Sequence, residues 1–271
     1  MSELIHVTRG VWRTEEAVAD LRGRVAAIVG VYAVDTVVSG STAARLHDLW
    51  LPDLPPGPVE LIVHPDLPPP TSRPGGRRGG VRARRQRLRA DEITLVDGIP
   101  VTTPARTWID LADRLAMPDL VALGDCALRR GAGPEELQHA VTRAAHCRGV
   151  VSARAALTHL DGRFESRPES HMRYALVSAG LPAPAVNQPI YDEHGQWLAR
   201  PDLSYDDVRL ALEYNGADHA KVDRMRRDID REFDIGSRGG WRTETFGPTQ
   251  VFRRPDQMVA YVRWLRRELD R

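Results

Sequence analysis

The chain has 271 residues, 42% of them hydrophobic, and a formal net charge of +1. This length allows a large core and two domains, whereas the small net charge gives no global signal for nucleic-acid binding. No apolar run approaches the roughly 20 residues that span a bilayer, and the N-terminus lacks the apolar segment of a signal peptide. We therefore expect a cytoplasmic protein without membrane contact.

The first predicted elements alternate helix and strand. Apolar residues at helical spacing predict a helix over 15–29, and Ser41 or Thr42 is a suitable N-cap for a second helix over 43–49. Residues 59–63 have the composition of a strand. Together they predict an N-terminal α/β domain.

Eight arginines are concentrated at 73–89, at the end of a loop rich in proline and glycine and directly after it. As a strand over 81–89, this basic arm would carry Arg82 and Arg84 on one face and Arg85 and Arg87 on the other. Arginines in this arrangement are expected to contact phosphates of DNA. The alternative is a solvated edge strand whose charges prevent edge-to-edge pairing.

Helices dominate the rest of the N-terminal domain. Thr103 as N-cap and Pro104 as first helical residue predict an amphipathic helix that ends near 112. Three more helices are predicted at 117–130, 134–146 and 151–160. A polar stretch with glycine and proline at 161–168 then marks the domain boundary, so we expect a mostly helical α/β domain over 1–160.

The C-terminal domain, 165–271, is predicted to have the order α-β-β-β-α-β-α. Its helices are expected at 169–179, 220–233 and 255–269, and its strands at 186–191, 196–205, 208–215 and 241–246. Glu169 lies in the first turn of the first helix, where the helix dipole favours a carboxylate. The alternative role of Glu169 is a simple helix-start charge.

The strands around residues 196–215 form a predicted β-hairpin with one apolar and one polar face. A two-residue turn at Asp207-Val208 would pair Leu203 with Leu212 and Asp202 with Glu213. Such turns favour Asn-Gly or Asp-Gly, so the alternative is a longer loop with a register shifted by one or two residues. The apolar positions include Trp197, Ala199, Leu203, Tyr205, Val208, Leu210, Leu212 and Tyr214, and the polar face includes Arg200, Ser204, Arg209 and Ala211.

Opposed carboxylates at Asp202 and Glu213 would repel each other and destabilise the hairpin. A divalent cation removes that cost, because Mg²⁺ binds one or two carboxylates and keeps water as its other ligands. The pair therefore indicates a site for Mg²⁺ or Mn²⁺. The alternative is that both carboxylates are ordinary solvated charges.

Several motifs in the C-terminal domain resemble the PD-(D/E)XK nuclease superfamily, in particular an actinobacterial group related to very-short-patch-repair endonucleases. They are Glu169 at a helix start, Pro201-Asp202 on a strand, Glu213 to Gly216 at the end of the next strand, and His219. The resemblance implies a mixed sheet flanked by helices, as in restriction endonucleases. It further implies that Asp202 and Glu213 hold Mg²⁺, that Glu169 completes the acidic site, and that His219 transfers a proton.

One position departs from the superfamily pattern, because Asn215 stands where its lysine is expected. Asn215 can ligate a metal through its carbonyl oxygen or hold a water, and Lys221, the only lysine of the chain, is a candidate source of the missing ammonium group. Arg226 and Arg227 on the following predicted helix are expected to position the phosphate backbone.

The N-terminal domain is similar to antitoxins of abortive-infection type IV toxin–antitoxin systems. The similarity rests on residues 39–44, SGSTAA, and on residues 98–107, GIPVTTPART. We accordingly predict a metal-dependent endonuclease that hydrolyses DNA in repair or phage defence. The alternative is a catalytically inactive DNA-binding regulator or antitoxin, with a toxin or repair protein as partner. RNA is a further possible substrate, and double-strand cleavage would favour a homodimer.

Overall fold

The computed structural model describes residues 4–8, 11–14, 20–30, 35–53, 55, 57–66, 80–192, 194–216 and 240–271. The chain divides into two compact units, unit 1 over Met1–Thr158 and unit 2 over His159–Arg271. Both contain helices and β-sheet, so the predicted α/β class is confirmed. No helix among the described residues is long and apolar enough to cross a membrane.

Unit 1 contains a two-stranded and a five-stranded sheet with helices between and after the strands. The strands are β1 (Leu4–Thr8), β2 (Val11–Thr14), β3 (Thr36–Val38), β4 (Val59–Val63), β5 (Val81–Arg85), β6 (Ile93–Val96) and β7 (Ile99–Thr102). The helices are α1 (Leu21–Val29), α2 (Gly40–Leu46), α3 (Pro104–Leu111), α4 (Met117–Arg129), α5 (Pro134–Arg143) and α6 (Val150–Leu157).

The five-stranded sheet has the order β5-β4-β3-β7-β6, so β5 and β6 are its edge strands. Strand β4 runs antiparallel to β3 and parallel to β5. Strands β6 and β7 form a hairpin whose turn residues, Asp97 and Gly98, both have positive φ, as a type I′ turn requires. The basic strand β5 therefore lies at an edge of the sheet.

Two apolar clusters stabilise unit 1. Val25 and Ile28 of α1 and Leu46 of α2 pack against the sheet, where Leu61 and Val101 are buried. A second set of buried side chains belongs to α3–α6, in which the indole N–H of Trp108 donates to the carbonyl of Leu120 at 2.9 Å. That bond satisfies the one polar atom of a fully buried ring.

The sequence predicted some helix starts of unit 1 correctly and others not. Thr103 caps α3 and Pro104 begins it, as expected. Helix α1 begins at Leu21 with Asp20 as N-cap, and part of its predicted first segment lies outside the described residues. The predicted cap of α2 at Ser41 or Thr42 is wrong, because Ser39 is the N-cap and both residues lie in the first turn, where they bind Glu60.

Unit 2 is built on a four-stranded mixed sheet with the order β13-β12-β11-β8 and a separate two-stranded sheet of β9 and β10. Its strands are β8 (Ala185–Val186), β9 (Ile190–Tyr191), β10 (Trp197–Ala199), β11 (Leu203–Tyr205), β12 (Leu210–Tyr214) and β13 (Arg242–Phe246). Its helices are α7 (Arg167–Ser178) and α8 (Pro255–Leu269). Strands β12 and β13 are parallel, and the predicted helix over 220–233 lies outside the described residues.

The central hairpin of unit 2 has the predicted register but a different turn. Leu203 pairs with Leu212, as the alternation of apolar residues required. The connection is a 3-10 turn, Asp206–Val208, followed by Arg209 with φ 49°, rather than a two-residue turn. The longer loop keeps the register because it adds one residue on each side.

Two other expectations for this hairpin are wrong. Its first arm is not one strand, since residues 200–202 separate β10 from β11, and Trp197 is 62% exposed. Its polar face is not solvated along its length, because Ser204 and Ala211 are buried. Ala211 packs with Ile190 and Trp241, so apolar residues from β9 and from the residue preceding β13 cover that face.

Candidate functional site

The hairpin brings the predicted carboxylates of unit 2 to neighbouring positions. Leu203 of β11 pairs with Leu212 of β12. Asp202 and Glu213 come next to this pair on the side away from the hairpin turn, so they are neighbours. The Oδ2 atom of Asp202 accepts a hydrogen bond from the backbone N–H of Tyr214 at 2.7 Å. The Asp202 carboxylate thus lies against the backbone of the residue after Glu213.

Glu169 is 6% exposed and its carboxylate caps the start of α7. Its Oε1 accepts from the hydroxyl of Ser166 at 2.6 Å, and its Oε2 accepts from the backbone N–H of Glu165 at 3.0 Å. The Ser166 hydroxyl in turn accepts from the backbone N–H of Glu169 at 3.5 Å. The sequence Ser-Arg-Pro-Glu is typical of this capping arrangement, and it offered a local signal for the structural role of Glu169.

Asn187, which the sequence did not single out, connects Glu169 with the Asp202 segment. Its side-chain amide donates to Oε2 of Glu169 at 3.0 Å, and its backbone N–H donates to the carbonyl of Asp202 at 3.0 Å. Arg200 adds two contacts, from Nε to the Asn187 carbonyl at 2.9 Å and from Nη2 to Oε1 of Glu165 at 2.6 Å. The Glu169 carboxylate and the backbone of Asp202 therefore belong to one hydrogen-bonded junction, the acidic junction of unit 2.

The remaining predicted residues of the acidic site are only partly described. Asn215 is exposed at the end of β12, and its backbone N–H donates to the carbonyl of Phe246 at 2.9 Å. His219, Lys221, Arg226 and Arg227 lie outside the described residues. Their predicted roles stay predictions.

Asp202 and Glu213 have the chemistry that Mg²⁺ accepts, since two carboxylates and water complete its coordination. Glu169 fits this role less well, because both of its oxygens already accept hydrogen bonds that hold the start of α7. Within the ranges that the structure describes, no group of three or more His, Cys, Asp or Glu side chains is arranged to hold a metal ion.

Strand β5 ends at Arg85, so the predicted strand over 81–89 is too long, and Arg87 and Arg89 follow the strand. The arginines of the basic arm in unit 1 are largely exposed, and several pair with carboxylates. Arg84 contacts Asp110 at 2.5 Å, Arg87 contacts Asp66 at 3.2 Å, and Arg89 contacts Asp91 at 3.3 Å. Arg82 and Arg85 are also exposed on β5. Phosphate binding by Arg84 and Arg87 would have to break these ion pairs, and their role in DNA binding stays a prediction.

An ion pair between the buried Glu60 and the more exposed Arg114 lies beside the first antitoxin-like motif and connects it to the sheet. The two terminal guanidinium nitrogens of Arg114, Nη1 and Nη2, donate to Glu60 at 2.6 and 3.0 Å, and Ser41 donates its hydroxyl to the same carboxylate at 2.5 Å. Burial opposes the charge, but the hydrogen bonds from Arg114 and Ser41 outweigh it and hold the pKa of Glu60 below its ordinary value. An acidic residue inside the apolar strand 59–63 was the only sequence signal for such a partner.

The second antitoxin-like motif also forms an ion network. Arg106 donates to Glu92 at 2.6 Å and to Asp110 at 3.0 Å, and Asp110 in turn pairs with Arg84. Burial disfavours the charged Arg106, whereas Asp110 and Glu92 raise its pKa overall. The network lines a polar cleft of about 210 Å³. Both motifs therefore act as structural links between helix and sheet.

An apolar groove extends across the five-stranded sheet, with lining residues from β3, β4, β6, β7 and the segment after β5. It has a volume of about 420 Å³. Its apolar lining includes Val37, Ile62, Leu88, Ile93, Leu95 and Pro100. Leu95 is 67% exposed and adds apolar surface to the groove. The groove is thus a candidate surface for a protein partner.

Comparison with known protein families finds a match for most of unit 1. Residues 36–160 match the family described as AbiEi antitoxin C-terminal domain. The matched range contains strands β3–β7, helices α2–α6, both ion networks and nearly all of the groove lining. The predicted antitoxin resemblance is confirmed for this range, and the match ends before the acidic junction of unit 2.

Two relatives from Mycobacterium tuberculosis are similar over nearly the whole chain. They are "Uncharacterized protein MT2308" of strain CDC 1551 / Oshkosh and "Uncharacterized protein Rv2248" of strain H37Rv. Each is 32% identical over 281 residues, covering 99% of this chain and 93% of the relative. The chain belongs to the family of these proteins. No solved structure matches it.

Proposed function

We propose that the protein is an antitoxin-type regulator that acts by binding rather than by catalysis. The observation that carries this proposal is the match of residues 36–160 to the AbiEi antitoxin C-terminal domain. In that range the buried charged side chains Glu60, Arg106 and Asp110 are engaged with one another or with structural partners. This arrangement suits a rigid binding module.

The apolar groove is the proposed contact surface for the toxin. Its rim carries Leu95, whose exposed side chain would be buried by a partner. Burial of a leucine contributes about 1.5–3 kcal/mol, enough to make it a main contributor to binding. The basic strand β5 is the proposed contact for DNA. Its arginines would bind phosphates and would not distinguish base sequences.

Neutralisation of a toxin tests this proposal. The genes flanking that of this chain would each be expressed in a host, with and without the chain, to identify a product that arrests growth. Wild type should relieve the arrest, and Leu95→Asp should relieve it poorly, because a carboxylate at the groove rim disfavours an apolar contact. Val151→Asp is the matched control, since Val151 is 74% exposed in unit 1 and does not line the groove.

The outcome has two decisive forms. Relief by wild type and by Val151→Asp, but not by Leu95→Asp, would support the proposed surface. Absence of any arresting neighbour, or equal relief by both variants, would contradict it. Circular dichroism and thermal unfolding of both variants separate lost binding from lost folding.

A metal-dependent nuclease in unit 2 is the second candidate function. It is favoured by the register of the hairpin, which makes Asp202 and Glu213 neighbours, and by the Tyr214 N–H, which orients Asp202. These two carboxylates would hold Mg²⁺, which lowers the pKa of a bound water and neutralises charge on the phosphate when bound. Asn215, at the end of the same strand, would position that water through its amide.

The nuclease candidate is tested by incubating supercoiled plasmid, single-stranded DNA and mismatched duplex with Mg²⁺ or Mn²⁺. Cleavage should be lost in Asp202→Ala and Glu213→Ala and retained in Glu268→Ala, an exposed carboxylate at the end of α8. If wild type cuts none of these substrates, or if both site variants cut as well as wild type, the candidate fails and the binding function alone stands.

A further inference from the structure

Helix α8 exposes two aromatic rings that are stacked on each other. Tyr261 is 37% exposed and Trp264 is 53% exposed. Their ring centroids are 5.8 Å apart and the ring planes differ by 22°. Large aromatic side chains are mostly buried in folded proteins, so a stacked pair on the surface is an unusual feature.

The pair is held in place from below. The ring of Tyr261 packs edge-on against buried Phe246 of β13, with centroids 6.4 Å apart and planes at 79°. Arg242 on the same strand pairs with Glu244 at 2.7 Å and also interacts with Tyr261. Both interactions raise the pKa of the Arg242 guanidinium, the Glu244 carboxylate more than Tyr261. Because Tyr261 is fixed in this way, Trp264 rests on a rigid platform rather than on a mobile side chain.

The surroundings of the pair are basic. Residues 253–271 contain six arginines and three acidic residues, whereas the whole chain has a net charge of only +1. Arg263 and Arg266 bind groups of the fold, the carbonyl of Ala179 at 2.8 Å and the carboxylate of Asp207 at 2.6 Å. Arg267 is exposed and follows Trp264 by three residues, on the same side of the helix.

The composition of this helix face favours one kind of ligand. Besides Tyr261, Trp264 and Arg267, it contains Gln257, Ala260 and Glu268, and the Glu268 carboxylate is paired with Arg271 at 3.2 Å. Helices that dock into protein grooves use aliphatic and aromatic residues spaced by three or four. Planar rings followed by a cation instead suit a nucleobase, which stacks on an aromatic face, and its phosphate, which pairs with arginine.

We propose that the α8 stack binds an unpaired nucleobase of a single-stranded nucleic acid. The base stacks on Trp264 and extends the column that begins at Tyr261, and Arg267 contacts an adjacent phosphate. A base inside a duplex is covered on both faces by its neighbours, so this surface distinguishes single strands from duplexes. The site lies in unit 2 and is independent of the proposed antitoxin function.

Fluorescence anisotropy with the full-length chain and a short fluorescein-labelled oligothymidylate tests the site. Stacking of one base on an aromatic residue corresponds to a change in affinity of about 5-fold to 150-fold, so Trp264→Ala should weaken binding by at least about fivefold. Trp264→Phe should keep most of the affinity. Arg267→Gln should reduce the slope of log affinity against log salt by about 0.7, the value for one phosphate contact on a single strand.

Trp197→Ala is the matched control, because Trp197 is an equally exposed tryptophan of unit 2 that lies on β10. Its affinity should stay within about twofold of wild type, as expected for a surface side chain outside the site. Leu95→Asp, in the groove of unit 1, should likewise leave oligonucleotide binding unchanged, which separates this test from that of the antitoxin function.

Four results would overturn the proposal. The oligonucleotide does not bind wild type, or Trp264→Ala binds it as tightly as wild type. Trp197→Ala loses as much affinity as Trp264→Ala, or a duplex of the same sequence binds wild type with equal affinity and loses it equally in Trp264→Ala. Sedimentation provides a further test. If Trp264→Ala dissociates a dimer and leaves oligonucleotide binding unchanged, the stack binds a second copy of the chain instead.

Discussion

Asn187 donates its side-chain amide to the Glu169 carboxylate at 3.0 Å, and this bond joins the start of α7 to the segment after β8. The same amide donates to the carbonyl of Arg163 at 3.2 Å. Asn187 has φ 50°, a left-handed conformation that asparagine and aspartate tolerate better than other residues with a side chain. The predicted acidic residues Glu169 and Asp202 are thus held by one asparagine that the sequence motifs do not include.

Asn187→Asp is expected to destabilise the protein by about 1–3 kcal/mol near neutral pH. The substitution keeps the backbone preference but replaces a donor with a carboxylate that faces Glu169. Two adjacent carboxylates raise the pKa of one of them, so the folded state of the variant binds a proton more tightly than the unfolded state. The stability lost to this repulsion should therefore return as the pH falls through the raised folded pKa, and the return should be complete below the unfolded pKa, about 4.

Urea unfolding at about pH 7 and about pH 4 measures this effect. Gln196→Glu is the control, since Gln196 is exposed between β9 and β10 and its new carboxylate would be solvated. Its change in unfolding free energy should stay within about 0.5 kcal/mol. An equal loss for Asn187→Asp at both pH values would show that repulsion between carboxylates is not the cause.

Glu60→Gln is expected to destabilise unit 1 by about 1–2 kcal/mol near neutral pH, because it removes the charge partner of Arg114. The pKa of Glu60 lies below its ordinary value of 4.5. A depressed carboxyl pKa contributes stability above the unfolded pKa, and that stability is lost as the pH falls through the folded pKa. Wild type and Glu60→Gln should therefore converge in stability at pH values below 4.5.

Thermal or urea unfolding across this range checks the convergence. Asp97→Asn is the control, because Asp97 is 62% exposed in its side chain and forms a surface ion pair with Arg22. Surface pairs contribute little, about 0–1 kcal/mol. A constant difference between wild type and Glu60→Gln at every pH would mean that shape, not ionisation, accounts for the effect.

Local patterns in the sequence predicted the elements whose causes are local. The bounds of α8 agree with the 3.6-residue periodicity over 255–269, and α3 begins at the predicted proline after its threonine cap. The register of the central hairpin follows from alternation, since a shift by one residue would place Leu203 and Leu212 on opposite faces. In each case the signal and the structure lie within the same few residues.

Long-range packing accounts for what the sequence did not predict. Ser204 and Ala211 are buried because other parts of unit 2 cover their face of the sheet, and alternation alone does not reveal which elements will do so. Glu60 binds Arg114, 54 residues away, and no local pattern around either residue indicates its partner. The role of Glu169 had two local explanations, and only the structure shows its carboxylate in the cap of α7.

Gly149→Ala is expected to destabilise unit 1 strongly, by more than about 3 kcal/mol. Gly149 has φ 81°, and an added Cβ would lie 2.4 Å from the backbone nitrogen of Asp113 and 2.6 Å from the carbonyl carbon of Ala112. Both neighbours are backbone atoms, so they cannot move aside as a side chain would. The variant therefore suffers from a steric clash in addition to backbone strain.

Gly98→Ala separates these two causes. Gly98 has φ 77°, close to that of Gly149, but its added Cβ would meet no atom within 4 Å. It should lose only the strain energy of a left-handed residue, about 1–2 kcal/mol. Urea unfolding of both variants provides the comparison, and equal losses would rule out the close approach at Gly149 as the dominant cause.

Tyr205 of β11 is expected to keep its proton to unusually high pH. Burial raises its pKa from 10.0 to about 12, although the nearby guanidinium of Arg266 acts in the opposite direction. Its hydroxyl donates to the carbonyl of Pro182 at 3.0 Å, and the Arg266 guanidinium lies 4.2 Å from the ring centroid. A raised pKa stabilises the fold below the unfolded pKa, and this contribution is lost as the pH rises from 10.0 to about 12.

Tyr205→Phe should therefore be less stable than wild type near neutral pH by about 1 kcal/mol, the contribution of one hydrogen bond. Its stability should also fall less steeply than that of wild type above the ordinary tyrosine pKa. Urea unfolding at increasing pH, with phenolate absorbance as a second signal, measures both effects. Tyr191→Phe is the control, because Tyr191 is 50% exposed and lies outside the buried surroundings of Tyr205. Parallel loss of stability in wild type and Tyr205→Phe would mean that other groups cause the alkaline transition.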